Sequence, residues 1–365
     1  MRAETPIVRT IGPASDGDGS AREDGARRRV SLADVAAAAG VHLSTASRAL
    51  NPATRARVRP ATVERVLAAA QTVGYRPNSI ARGLRTNKTY TIGMLIPDLT
   101  NPLFPPIVKG IEDRLSQDGY TLLLANTDGD LDREASILGS MASRRVDGLL
   151  LATARREYPV VHELLAEGMK VVLVNRTMED APVPSVTGDE YEGIGLAVKH
   201  LVGLGHRRIA YVGGDPDAST GLIRYQAFTS WLHGAGLELD SDLIAVADRF
   251  REEPGASAFA APLDRGSEFT AVVAGNDLLA LGCYDVLRER SLEIPRSISV
   301  VGYNDILFAD KFAPPLTTVR IPHYQIGVRA AQLLLESIES SETTAMALRL
   351  APSLVVREST APPLA

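Results

Sequence analysis

After Thr91 the chain repeats one pattern: a short apolar run, a polar break, then a stretch with helical spacing. The runs are "TIGMLIPD", "YTLLLANTD", "VDGLLLATA", "KVVLVNRT", "RIAYVGGD", "FTAVVAGND" and "ISVVGYND". Continuous apolar runs of this length suit strands buried on both faces, which means parallel strands in an α/β fold. Open sheets of this kind bind ligands beyond the carboxyl ends of their strands. The polar residues that close the runs are therefore the first place to look for a binding site. Residues 91–365 are long enough for two such subdomains, and "LAPSLVVREST" is expected to form a last strand.

The segment before Thr91 has a different texture. "VSLADVAAAAGVHLSTASRALN", Val30 to Asn51, reads as two compact helices around a glycine turn. Ser31 is a suitable N-cap, and Asp34 completes a capping-box-like start. Leu32, Val35, Ala36 and Ala39 have helical spacing, Gly40 permits the turn and Val41 plugs it. In the second helix Ala46, Ala49 and Leu50 face inward. After the basic loop "NPATRARVRP", Pro60 starts a third helix that Gly74 ends, with Val63, Val66, Leu67 and Ala70 as its buried stripe. Helix, tight turn, helix is the helix-turn-helix pattern, and small residues let two short helices cross closely. The outward side of the second helix then carries His42, Leu43, Ser44, Thr45, Ser47 and Arg48. Hydroxyls reach phosphates and base edges, and Arg can grip guanine O6 and N7 together. His42 is either a phosphate donor or a solvated loop residue.

Charge separates the same segments. The net charge is −5 over 365 residues. Between Arg27 and Lys88, twelve Lys and Arg face only Asp34 and Glu64, a balance of +10. Residues 1–26 carry −2 and the remainder −13. A basic module on an acidic body points to a polyanion partner for the module alone. Residues 1–28 are too polar to bury a core and are expected to be a disordered tail. The segment "YRPNSIARGLRTNKTY" is basic, with Ile80, Ala81 and Leu84 as a weak helical face, too short to be a stable helix by itself.

These residues carry a resemblance. "LADVAAAAGVHLSTASRALN", then "GYRPNSIARGLRTNKTYTIGMLIPDLTNPLF", "LVGLGHRRIAYVGG", "VVAGNDLLALG" and "ISVVGYNDILFADKFAPPLTTVR" together resemble the LacI family of bacterial transcription regulators, from Val30 to the C-terminus. The resemblance implies an α/β architecture: a small all-α helix-turn-helix DNA-binding domain (29–77), a hinge helix and linker (78–90), and a two-subdomain, periplasmic-binding-protein-like core with parallel sheets (91–365). It implies a homodimer on a pseudo-palindromic double-stranded DNA operator, acting as a repressor under a small effector, a sugar or related metabolite. Asn51 joins the DNA-contact set. Asn78, Arg82 and Leu84 fall in the hinge, where paired leucines wedge into a minor-groove step. The family usually has Ser where His42 stands and Val where Ala46 stands, and the loop Pro52–Pro60 is longer here.

The resemblance also places effector contacts. Arg224 in "STGLIRYQAF" matches a cleft arginine, whose five N–H donors suit hydroxyl or carboxylate recognition. Asn276 follows a strand and faces the cleft. Asn175 and Asn304 stand where Asp is frequent, yet still pair with sugar hydroxyls. Phe104 and Phe250 match aromatics that cover the ligand, and Asp189 and Thr220 are weaker candidates. Asp277 and Asp305 are expected to be caps or turn residues.

Other classes find less support. No G-x-G-x-x-G opens a helix after a strand and no Walker A pattern is present. The six histidines show no metal-ligand spacing, so neither enzyme nor cofactor is expected. Cys283, alone in an apolar run, is expected to be a buried small hydrophobe, and a chain with one cysteine fits a reducing compartment. No apolar run approaches the ~20 residues needed to cross a bilayer, and the N-terminus lacks a signal-peptide core, so a soluble cytoplasmic protein is expected. A solute receptor feeding a transporter would share the core but has no use for residues 30–85. "STAPPLA" offers no heptad helix, so a dimer is expected rather than a tetramer.

Overall fold

The computed structural model describes residues 30–75, 88–179, 183–340 and 345–364. They form two compact units, one before and one after the break at residues 76–87. The tail 1–28 and the hinge residues Asn78, Arg82 and Leu84 lie outside the described residues.

The first unit is helical. Its elements are α1 (Leu32–Ala38), α2 (Leu43–Leu50), α3 (Pro52–Arg55) and α4 (Pro60–Thr72). Sequence reasoning expected three helices; the short α3 lies in the basic loop, where Pro and Arg hid a single turn. The capping box at Ser31 forms: Ser31 N donates to Asp34 Oδ2 at 2.8 Å while Asp34 N reaches Ser31 Oγ. Gly40 takes φ +59°, the left-handed conformation that glycine adopts without penalty. Val35, Ala36, Ala39, Ala46, Ala49, Val63, Val66, Ala69 and Ala70 make the core. The alanines are what allow α1, α2 and α4 to approach closely.

The second unit holds two six-stranded sheets. The first combines β1 (Thr91–Ile96), β2 (Thr121–Asn126), β3 (Gly148–Leu151), β4 (Val171–Val174), β5 (Ser185–Gly188) and a late strand β11 (Ala347–Leu350), in the order β11-β5-β4-β3-β1-β2, all parallel. The second combines β6 (Ile209–Gly213), β7 (Ile244–Val246), β8 (Ala271–Ala274), β9 (Ser299–Asn304), β10 (Thr317–Arg320) and β12 (Ser353–Val355), in the order β12-β10-β9-β8-β6-β7, with β12 alone antiparallel. The apolar runs are strands, as expected, and the central ones are buried throughout. Strand β2 departs from that expectation: as an edge strand it is only partly buried.

"LAPSLVVREST" is not one strand. Ala351 and Pro352 divide it, and the two pieces join different sheets. Proline has no N–H to give a ladder, so it marks the place where the chain changes sheet. Two other segments cross between the lobes: Gly188–Glu190, leading into α8 (Glu190–Gly203), and Arg320–His323, leading into α12 (His323–Glu339). Helix α12 returns to the first lobe and packs on α5 (Phe104–Gln117) at backbone contact. A Cβ on Gly110 would lie 2.1 Å from Tyr324 O, and one on Gly327 would lie 2.0 Å from Ile107 O. The apolar core is continuous across this side of both lobes, from Ile92 and Ile107 to Tyr211 and Tyr303.

Candidate functional site

Two features of the described residues present chemistry to a partner: the outer side of α2 and the cleft between the sheets. On α2, Ala46 and Ala49 are buried, while His42, Leu43, Ser44 and Arg48 are exposed, Leu43 to 47%. Thr45, Ser47 and the C-cap Asn51 are half-buried. A helix that shows two hydroxyl residues, an arginine and an apolar side chain on one side has the donors and the methyl surface that major-groove edges require. His42 resolves its two readings in a third way: it is the N-cap, with Nδ1 accepting from Ser44 N at 3.3 Å. The far end of α2 is capped by the loop that follows. Arg55 Nε donates to Ala49 O at 3.1 Å, and Thr54 Oγ1 donates to Arg48 O at 3.1 Å. Helix-end carbonyls need such partners, and this loop supplies two of them.

The cleft encloses about 290 Å³, near the small end of the range for small-molecule pockets. Seven of the eight effector residues read from sequence line it: Phe104, Asn175, Thr220, Arg224, Phe250, Asn276 and Asn304. Asp189 does not. It caps α8, accepting from Glu192 N at 3.1 Å, because it sits on the crossover just before a helix start. Asn276 both lines the cleft and caps α11 (Asp277–Glu289), spending Oδ1 on Leu279 N and leaving its amide NH2. Asn304 is 2% exposed, with Oδ1 lacking any partner among the described residues. A buried acceptor without a donor suits a ligand hydroxyl. Phe104 starts α5 and is mostly core; Phe250 folds over Gly214, where a Cβ would meet its ring at 2.3 Å.

Arg224, in α9 (Ser219–Gly234), is held on three sides. Nε donates to Glu190 Oε2 at 2.5 Å, Nη1 donates to Gly275 O at 2.6 Å, and the guanidinium lies 4.0 Å from the centre of the Tyr303 ring. Burial works against its charge, but Glu190 holds the guanidinium pKa above its ordinary value. Asp277 opens α11 without capping it, since Asn276 is the cap, and Asp305 follows β9 with φ +54°. Asp277 accepts from Ile306 N and Thr318 Oγ1, and Asp305 pairs with Arg320 and Arg357. Cys283 is fully buried, and burial raises its thiol pKa well above the ordinary value.

Sequence reasoning missed several cleft residues. Glu134, buried at 4%, lines the cleft on α6 (Leu131–Ser143) and accepts from Thr153 Oγ1 and Tyr158 OH. Arg251 Nε donates to Asp98 Oδ2 at 2.8 Å and so joins the two lobes. Burial opposes the charge of Asp98, yet Thr100 and Arg251 hold its pKa below the usual carboxylate range. Thr177 N reaches Ser219 Oγ at 2.9 Å and Arg156 N reaches Asp217 O at 3.0 Å, two more bridges across the cleft. The only sequence signal for these was position after a strand or at a helix start, which many structural residues share. Among the described residues no group of His, Cys, Asp and Glu is arranged to hold a metal ion, and no helix is long and apolar enough to cross a membrane.

A helix-turn-helix unit with an exposed polar helix, joined in one chain to a two-lobed binding-protein core, defines a ligand-responsive DNA-binding regulator. Residues 31–78 match the family described as "Bacterial regulatory proteins, lacI family", and residues 89–354 match "Periplasmic binding proteins and sugar binding domain of LacI family". The chain belongs to the LacI family of transcription regulators. It is 33% identical to the HTH-type transcriptional regulator RegA of Clostridium saccharobutylicum over 331 residues, covering 90% of this chain and 99% of that one. Among solved structures it resembles the transcriptional regulator CelR–cellobiose complex, at TM-score 0.70 and 32% identity, covering 91% of this chain and 100% of the other. It also resembles the lac repressor dimer bound to operator and the anti-inducer ONPF, at TM-score 0.80 and 26% identity, covering 92% of this chain and 100% of the other.

Proposed function

We propose that the protein is a cytoplasmic, non-enzymatic homodimeric repressor that holds a pseudo-palindromic operator and responds to a sugar in the cleft. The observation that carries this is Arg224. It lines the cleft and is bonded to Glu190, the first residue of α8 beyond a crossover. A ligand touching Arg224 acts next to a segment on which the lobes turn. The cleft's mixture of asparagines, arginines and carboxylates with two phenylalanines suits a polyhydroxylated ligand, and the relatives include a regulator solved with cellobiose.

In this reading His42, Leu43, Ser44, Thr45, Ser47, Arg48 and Asn51 contact the major groove, and Asn78, Arg82 and Leu84 belong to a hinge over residues 78–90. The seven cleft residues contact the effector, while Asp189 fixes the crossover that carries Glu190. The effector moves the equilibrium only by its differential affinity for the two lobe arrangements. Selection of bound fragments from random DNA, followed by a screen of sugars for release, tests the function. A dimer that prefers no DNA sequence, with or without sugars, sinks the proposal. Arg224→Ala is expected to abolish release while operator binding without effector persists. Unaltered calorimetric affinity of a releasing sugar for that variant would remove Arg224 from the site.

A further inference from the structure

The cleft lining contains five arginines and five carboxylates, but they are not matched in pairs. Four of the five carboxylates have a partner among the described residues, Asp128 being exposed and Asp98, Glu134 and Asp215 buried or half-buried. Asp98 takes Arg251, Asp128 takes Arg133, Glu134 takes two hydroxyls, and Asp215 accepts from Asp217 N at 2.8 Å. Asp248 and Arg249 are exposed at the rim. On the cationic side, Arg224 has Glu190 and Arg251 has Asp98.

Arg155 and Arg176 remain. Both line the cleft from the first lobe, and neither has a carboxylate within 4.0 Å among the described residues. Arg155 makes one weak bond, Nη2 to Gly129 O at 3.3 Å. Arg176 makes none to any described residue. Burial pushes the Arg176 guanidinium pKa down to about 10, and the positive charges of Arg155 and Arg224 add to that push, although Asp215 and Glu134 oppose it. Asn175, which precedes Arg176, is neutral. Two half-buried guanidinium groups in one small cleft, without a carboxylate partner among the described residues, carry a desolvation and repulsion cost. An incoming oxyanion would offset that cost, since guanidinium forks match carboxylate and phosphate geometry.

We propose that the effector is an anionic sugar, a monosaccharide-sized body bearing a carboxylate or phosphate, and that Arg155 and Arg176 receive that group. Arg224, Asn276 and Asn304 on the opposite lobe are then left for the hydroxyls. The inference rests on the cleft being the effector site, and it deepens that reading by naming the charge of the ligand.

The test is calorimetric titration of the full chain with matched sets: glucose, glucuronate and glucose 6-phosphate, then galactose, galacturonate and galactose 6-phosphate. In at least one set the charged member should bind more tightly than its neutral parent by about ten- to a hundredfold, the worth of a charge-assisted bond. The member that wins distinguishes carboxylate from phosphate. Arg176→Gln should erase that advantage, read as the ratio of charged to neutral affinity in the same variant, with Arg155→Gln as the second variant. The comparison within the unmodified protein decides the matter even where a variant fails to fold. A neutral parent that binds as tightly as both of its charged relatives overturns the anionic class and leaves the sugar-cleft reading standing. Binding by no member of either set overturns the monosaccharide-sized anionic ligand, and the sugar-cleft reading then stands or falls on the wider release screen.

Discussion

Arg224 Nε lies 2.5 Å from Glu190 Oε2, with the two side chains only 3% and 5% exposed. The arginine belongs to a helix of the second lobe that lines the cleft. The glutamate opens the helix that follows the first crossover. A buried ion pair of this kind adds little net stability over an apolar pair, but it is expensive to break. It therefore fixes how the cleft wall meets the crossover.

Glu190→Gln should destabilise the core by about 3–5 kcal/mol, because it leaves the Arg224 charge buried and uncompensated. Urea unfolding of variant and parent measures this as a shifted midpoint at constant slope. A loss below about 1 kcal/mol would show that solvent reaches the pair.

His323 opens α12 just past the second crossover, and its Nε2 is buried without a partner among the described residues. Burial first, then the charge of Arg224, pushes its pKa down to about 4, against the opposing pull of Asp305. The ring is therefore neutral in the fold while the unfolded chain takes up a proton near pH 6.5. Its contribution to stability is whole above pH 6.5 and falls by about 3 kcal/mol as the pH drops towards 4. Asp277, pushed by burial up to about 7, titrates with the opposite sign over an overlapping range. The difference between the parent and His323→Gln isolates the histidine. That difference should change between pH 7 and pH 4, and a constant offset would contradict the assignment.

Operator affinity should fall steeply with salt, log K against log [salt] having a slope of about −0.9 per phosphate neutralised. If Arg48 reads a base edge, Arg48→Ala should cost about 1–3 kcal/mol on the preferred sequence and relax specificity at one position. If it touches phosphate, the variant should lose affinity evenly across sequences and lower the slope by about 1. Binding titrations on specific and scrambled DNA at several salt concentrations separate these, and no change on either DNA would remove Arg48 from the interface.

Leu84→Ala should weaken binding to the specific operator and leave effector affinity intact, since a leucine wedge acts only on kinked DNA. Gel-shift titration alongside calorimetry checks both halves, and unchanged specific binding would exclude a leucine wedge.

The α/β class, the alternation of strands with helices, the helix-turn-helix unit and seven of the eight cleft residues were legible before any coordinates. The fold elements depended on local signals, namely apolar runs, the Ser31–Asp34 cap and Gly40 at the turn, whereas the cleft residues were placed by the family resemblance. Asp189, a weaker candidate carried over from the resemblance, caps a helix and does not line the cleft. The short strands β5, β7 and β10 passed unremarked because polar or brief segments such as "SVTG" and "TTVR" acquire strand structure only by pairing with neighbours. Tertiary structure alone decided that "LRLAPSLV" splits between two sheets, that Glu190 meets Arg224 across 34 residues of sequence, and that Arg155 and Arg176 have no carboxylate partner among the described residues. Periodicity and capping are properties of a few consecutive residues and can be read from a string. The pairing of buried charges depends on which distant segments the crossovers bring together, and no local pattern records it.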